Sequence, residues 1–258
     1  MTVSHALQAK RRLANDAVGE AERQVRIDLA ACYRLAALHG WDDLIYTHIS
    51  ARIPGTHDFL INPFGLAFDE ITASSLVKID LDGNLVGDSP YEVNAAGFTI
   101  HSAVHQARPE IGCVMHLHTE AGMAISMLPD GLQPSSQHAM RYFNRIGYHD
   151  YEGIALSLDE RQRLIADLGP HKVLVLRNHG TLTAGATVAE AYALMFQLEK
   201  ACRAQLAAMA ASHPIVLASA EVAEHTARQF EGDSQPPGSR EWPAALRKLD
   251  RLDPGYRD

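Results

Sequence analysis

Two short apolar runs, IGCVMHLHT (111–119) and KVLVLRN (172–178), constrain this chain more than any other feature. Both read as strands, and the second has the continuous apolar character of a buried one. Each follows a segment with helical periodicity. One helix is expected from Asn94, a capping residue, to about Gln106, closed by Pro109. Another runs from Asp159 to Leu168, stopped by Gly169 and Pro170. A third spans Glu20 to His39, where Val25, Leu29, Cys32, Leu35 and Ala36 recur at three- and four-residue spacing before Gly40. A fourth spans Thr187 to Ala211 and is apolar over a broad face. LIYTHISARI (44–53) and FLINP (59–63) pair as strands across a PGTHD turn. Thr72 caps a short helix, and LVKIDLDGNLVG (76–87) forms a hairpin around its DGN turn. AGMAISML (121–128) is helical, 129–153 is loop-rich, 231–242 is a linker-like crossing, and EWPAALRKLDRLD supplies a last helix. Strands and helices interleaved in this way predict a mixed sheet flanked by helices.

Composition narrows the function. The 258 residues are 47% hydrophobic and 21% charged, enough for a sizeable core. Asp and Glu number 31 against 23 Lys and Arg, a net charge of −8 with no basic stripe, which argues against nucleic acid as a partner. Three scattered cysteines, Cys32, Cys113 and Cys202, fit a reducing compartment better than a disulfide framework. The opening MTVSHALQAKRRLANDA has no signal-like apolar core, and no apolar run reaches the length of a membrane span. A cytoplasmic protein with no membrane partner is expected.

The 14 histidines carry the chemistry. On a strand, positions i and i+2 share a face, so His116 and His118 project together while Met115 and Leu117 point away. Two such imidazoles can share one cation, and a catalytic site adds a third ligand and keeps a position open. His179, in RNHG, is the best third candidate: it follows a buried strand, and Gly180 permits close backbone approach. The alternative is a pair of solvent-facing histidines on a half-exposed strand. The apolar flanks argue for burial, where unpartnered imidazoles would be costly.

Longer stretches add a resemblance. NAAGFTIHSAVHQARPEIGCVMHLHT, GYHDYEG and KVLVLRNHGTLTAG, with LINPFG, ITASSLVKID and the closing REWPAALRKLDRLDP, resemble the class II aldolase/adducin family from about Ile27 to Met209. The resemblance implies a single three-layer α/β/α domain with a central, mostly antiparallel mixed sheet. It implies a homotetramer whose sites look across subunit interfaces. It also implies one divalent metal ion per subunit on His116, His118 and His179. The expected boundaries are an N-terminal extension (1–22), the family domain (23–211), and a C-terminal tail (212–258) packing on the domain or a neighbouring subunit.

The sequence departs from the family's aldolases at the groups that handle protons and phosphate. Aligned on His101, the aldolase glutamate falls at Gly97, and two serines that hold phosphate fall at Ala95 and Ala96. A phosphate-binding asparagine falls at His48. The aldolase Thr-Gly of a third phosphate contact becomes Phe64 and Gly65. A phosphate needs several donors, so their joint loss argues against the usual sugar-phosphate substrate. These departures resemble the adducin head, although adducin's basic tail has no counterpart here.

Two candidates could replace the missing acid/base. Glu120 would share the histidine face if the strand continues that far, and His149 offers a suitable pKa in the GYHDYEG loop. Glu92, Tyr148 and Tyr151 are weaker choices. His48, Phe64, Gly65 and Gly97 are the candidate substrate-binding positions. The expected function is a metal-dependent lyase, aldolase- or decarboxylase-type, acting on a small non-phosphorylated hydroxy or keto acid. The alternative is a non-catalytic adducin-head-like module that retains its metal. Zinc suits three histidines best; manganese, iron, cobalt and nickel also suit them.

Overall fold

The computed structural model describes residues 19–154, 159–211 and 213–258. The expected N-terminal extension lies outside these residues up to position 18. Seven strands form one sheet: β1 (His48–Arg52), β2 (Phe59–Ile61), β3 (Val77–Ile79), β4 (Cys113–Leu117), β5 (Gly147–His149), β6 (Val173–Leu176) and β7 (Gly180–Gly185). Their order is β3-β2-β1-β4-β7-β6-β5, antiparallel throughout except for β5 beside β6. The helices are α1 (Glu20–Leu38), α2 (Ala95–Ala107), α3 (Glu120–Ser126), α4 (Gln137–Met140), α5 (Glu160–Leu168), α6 (Val188–Ala210), α7 (Ala220–Glu231) and α8 (Glu241–Leu252).

The alternation of side chains along the central strand β4 builds two cores. Cys113, Met115 and Leu117 join Leu29 and Leu35 of α1 and Met195 and Leu198 of α6. Val114 joins Ile100 and Val104 of α2 and Leu164 and Leu168 of α5. Leu174, Leu176 and Leu182 complete that second core. Helices therefore cover both faces, giving the expected three layers. Trp242 and Leu249 of α8, with Tyr256 beyond it, belong to the larger core. Tyr33 of α1 pins the start of β1: its hydroxyl accepts from Ile49 N at 2.6 Å and bonds the Ile49 carbonyl and Asn62 Oδ1. The three cysteines are buried and free. Among the described residues, no helix is long and apolar enough to cross a membrane.

Several expected elements differ. The strand over 44–53 begins only at His48, because Leu44 (φ 52°) and Thr47 (φ 63°) take left-handed conformations that bend the chain first. No helix starts at Thr72; Thr72 and Ser75 close a turn with their hydroxyls, and the chain leaves it as β3. The hairpin over 76–87 shrinks to a turn on Asp80 with a single bridge, Ile79 to Leu85. The loop-rich 129–153 contains α4 and β5, and β7 and α7 come without a sequence expectation.

Candidate metal centre

His116 is the fourth residue of β4 and points to the α2 side of the sheet, in register with His48 of β1. It is buried, and its Nδ1 donates to the Thr181 carbonyl at 3.1 Å. His118 follows the end of β4, and its Nδ1 donates to Asp43 Oδ2 at 2.9 Å. A carbonyl and a carboxylate only accept, so in the neutral rings both hydrogens sit on Nδ1. The two Nε2 atoms then face each other at 3.1 Å with lone pairs toward lone pairs. That contact is unfavourable unless a cation lies between the rings.

His179 closes the triangle. It occupies the tight turn between β6 and β7, where Asn178 is left-handed (φ 56°). Its ring centroid lies 4.8 Å from those of both His116 and His118. A Cβ on Gly180 would come within 2.5 Å of the Leu117 carbonyl oxygen, so glycine lets this turn lie against β4. One ligand nitrogen from each histidine lies within 4.8 Å of the others. Burial holds His179 down at about 4. Burial and the neighbouring imidazoles hold His116 well below the usual histidine range. Two imidazoles with Nε2 atoms face to face and their Nδ1 atoms held, beside a third ring, form a donor set that suits a divalent metal.

The triad lies in a cavity of about 470 Å³. His48 and Phe64, two of the candidate substrate-binding residues, line it, together with Tyr46, Thr47, Asn94 and Asn178. Gly65 (φ 103°) shapes the turn beside Phe64 but is not on the wall, and Gly97 lies behind His48. A Cβ at position 97 would fall 2.6 Å from His48 Cδ2, so the imidazole stands where a side chain at 97 would begin. Among the described lining residues there is no lysine or arginine.

The two acid/base candidates sit apart from this wall. β4 ends at Leu117 and Thr119 caps α3, so Glu120 opens a helix instead of extending the strand. The expected shared face with His118 does not exist. Glu120 is exposed and lines a separate cleft with His118, Asp42 and Glu199. His149 is buried on β5, its Nδ1 donating to Asp167 Oδ2 at 2.7 Å and its Nε2 lying 3.5 Å from Glu160. It lines a small recess with Tyr151 and His179. Tyr151 lines the main cavity as well, its ring 6.2 Å from that of His179. Asp43 was missed by sequence reasoning, since nothing in the chain marks an aspartate 75 residues before its partner.

The model of the Class II Aldolase and Adducin N-terminal domain matches residues 27–206. The chain belongs to this family. An aldolase II superfamily protein from Pseudomonas syringae superposes with a TM-score of 0.91 at 49% identity, covering 95% of this chain and 99% of that one. L-fuculose 1-phosphate aldolase from Glaciozyma antarctica superposes at 0.83 with 32% identity, covering 94% and 95%. Rat alpha-adducin is 42% identical over 93% of this chain but only 35% of its own length. The class II aldolase fold thus has relatives of both kinds, one named for an enzyme and one for adducin.

Proposed function

We propose that this protein is a divalent-metal-dependent carbon–carbon lyase, aldolase- or decarboxylase-type, acting on a small non-phosphorylated hydroxy or keto acid. The observation that carries this reading is the facing lone pairs of His116 and His118 at the cavity floor. A divalent ion on His116, His118 and His179, with zinc ahead of manganese, iron, cobalt and nickel, supplies a Lewis acid for a carbonyl or carboxylate oxygen. Asp43 and the Thr181 carbonyl hold two of the rings by Nδ1 and leave their Nε2 atoms toward the triad. Phe64 and Ile100 give the cavity apolar walls, and Asn94 with Ala96 brings the N-terminal end of α2 to it, where a carboxylate is favoured. The absence of lysine and arginine among the described lining residues supports a substrate without phosphate. For proton movement, His149 reaches toward His179 through their shared recess and ranks ahead of Glu120. The likeness to alpha-adducin supports a second reading, a binding or assembly module that retains the metal. A cytoplasmic homotetramer completes the proposal.

Purified protein is expected to carry one divalent ion per subunit and His116→Ala to lose it, read by elemental analysis. Unchanged metal content in that variant would sink the metal reading. Release of CO₂ or of an aldehyde from a panel of hydroxy and keto acids separates decarboxylation from aldol cleavage. A metal-loaded protein inert across the panel favours the adducin-like module.

A further inference from the structure

The two ends of α3 stand beside two of the three metal-site histidines. His118 immediately precedes Thr119, the residue that caps the helix. Thr119 Oγ1 accepts from Gly122 N at 3.0 Å and donates to Glu199 Oε2 of α6 at 2.7 Å, so the start of α3 is fixed to its neighbour. A Cβ on Gly122 would fall 3.1 Å from Thr181 Cγ2, and glycine there lets the helix lie against β7. At its other end the chain leaves α3 through Met127 and reaches Arg177, which follows the last residue of β6 and lies two positions before His179. His116 sits inside β4, where pairing on both sides holds it. His118 lies past the strand end and His179 in a turn, so sheet pairing alone does not fix these two rings.

The Arg177 guanidinium joins the exit of α3 to that turn. Its Nη1 donates to the Leu128 carbonyl at 2.5 Å and its Nη2 to the Pro129 carbonyl at 3.2 Å. Carbonyls at and just past a helix end lack intrahelical partners, and a planar fork with several donors can take two of them at once. The same group lies 4.3 Å from the centroid of the Tyr148 ring, a cation–π contact. The Tyr148 hydroxyl in turn accepts from Leu132 N at 3.0 Å, so this ring also braces the segment after α3. Backbone bonds point the same way. Arg177 N donates to the His149 carbonyl at 2.8 Å, and Asn178 N makes a longer bond to the Ser126 carbonyl at 3.4 Å. Asn178 is the left-handed residue of the turn, so the last residue of α3 bonds the very position at which the chain reverses. His118, α3, Arg177 and His179 thus form one closed span.

We propose that Arg177 is a positioning residue for the metal centre: it ties the exit of α3 to the β6–β7 turn, so that α3 sets the separation of His118 and His179 before an ion binds. Rings ordered in advance need not be ordered at the moment of binding, which raises affinity without adding a ligand. The effect on metal rests on the metal reading above; the tie between helix and turn does not.

Arg177→Met keeps most of the side-chain stem and removes the fork. In metal-free protein, nuclear Overhauser effects between the His118 and His179 rings, whose centroids lie 4.8 Å apart, are expected in the wild type and lost in this variant, with the far-UV circular dichroism unchanged. Zinc affinity, read by competition with a chelating dye, is expected to fall about tenfold, the scale on which groups outside the ligand set act. The same substitution in a His179→Ala background should leave zinc affinity where His179→Ala alone puts it, because the tie acts through that ring. A tenfold loss that persists in that background marks a general loosening and overturns the proposal. Wild-type affinity in Arg177→Met overturns it too. If the variant does not fold, the metal-free wild type still decides: rings that show no contact are not preset. Failure of zinc to bind the wild type counts against the metal reading alone, and the ring-to-ring comparison then upholds or overturns the tie.

Discussion

Asp43 shows how a single side chain outside the triad controls it. Its carboxylate accepts the Nδ1–H of His118 at 2.9 Å, which orients the ring and leaves Nε2 facing the triad. Asp43→Asn keeps the shape and removes the charge, so metal affinity is expected to fall about tenfold, the low end for such partners. Competition against a chelating dye measures it, and an unchanged affinity would deny Asp43 this role. A second consequence concerns acid. Burial, with Arg52 next, holds His105 at about 3 against an ordinary 6.5. The unfolded chain therefore takes up this proton at a pH where the folded chain does not. Stability is full above about 6.5 and declines as pH falls through the window toward 3. His39, held at about 4 by burial, acts in the same sense. The Tm of metal-free protein is expected to drop between roughly pH 7 and pH 5, and His105→Gln to shallow that drop. A Tm flat over that range would refute the assignment. The triad was legible because an i, i+2 pair on an apolar strand and a histidine beside a glycine both leave local marks. Asp43 was not, because the contact exists only after the chain has folded.

At the scale of elements, periodicity located what the cores bury. α1, α2, α6, β4 and β6 all carry apolar positions at the period of their class, and all appear close to their expected bounds. β7 has only Leu182 and Ala184 on its apolar face; Thr181 and Thr183 on the other satisfy themselves on Met195 Sδ and the Ala191 carbonyl. A strand built from glycine, threonine and alanine has little contrast to read. α7 buries only Ala223 and Ala227, too weak a stripe to stand out. Glu120 was misplaced for a related reason: Thr119 ends the strand with a cap, and a cap looks like any other threonine until α3 forms on it. The β6–β7 turn gives this scale its test. Gly180→Ala would press a methyl toward the Leu117 carbonyl, 2.5 Å away, and displace His179 from the triangle. A loss of about 1–3 kcal/mol is expected by denaturant unfolding, together with weaker metal binding. Wild-type stability and affinity in that variant would show the turn to be slack.

Over the whole molecule, the mixed sheet with helices on both faces was legible from interleaved elements, and its mostly antiparallel pairing from the family resemblance. Assembly is the property least visible in one chain. Tyr46, Phe64, Tyr151 and Ile154 line the cavity with large apolar groups, yet each is more than a third exposed, Ile154 by 72%. Apolar groups gathered at the mouth of a site suit coverage by another copy. Sedimentation is expected to give about four times the chain mass of 28.2 kDa, and a monomer would remove the proposed tetramer. The alternation along β4 carries one more consequence. Met115 and His116 face opposite cores, and β4 is paired on both sides, to β1 and to β7. A slip of one residue would send the imidazole into the apolar layer and a thioether into the cavity. The three nitrogens converge in one register only, so an ion bound on them would favour the correctly threaded sheet over a slipped one.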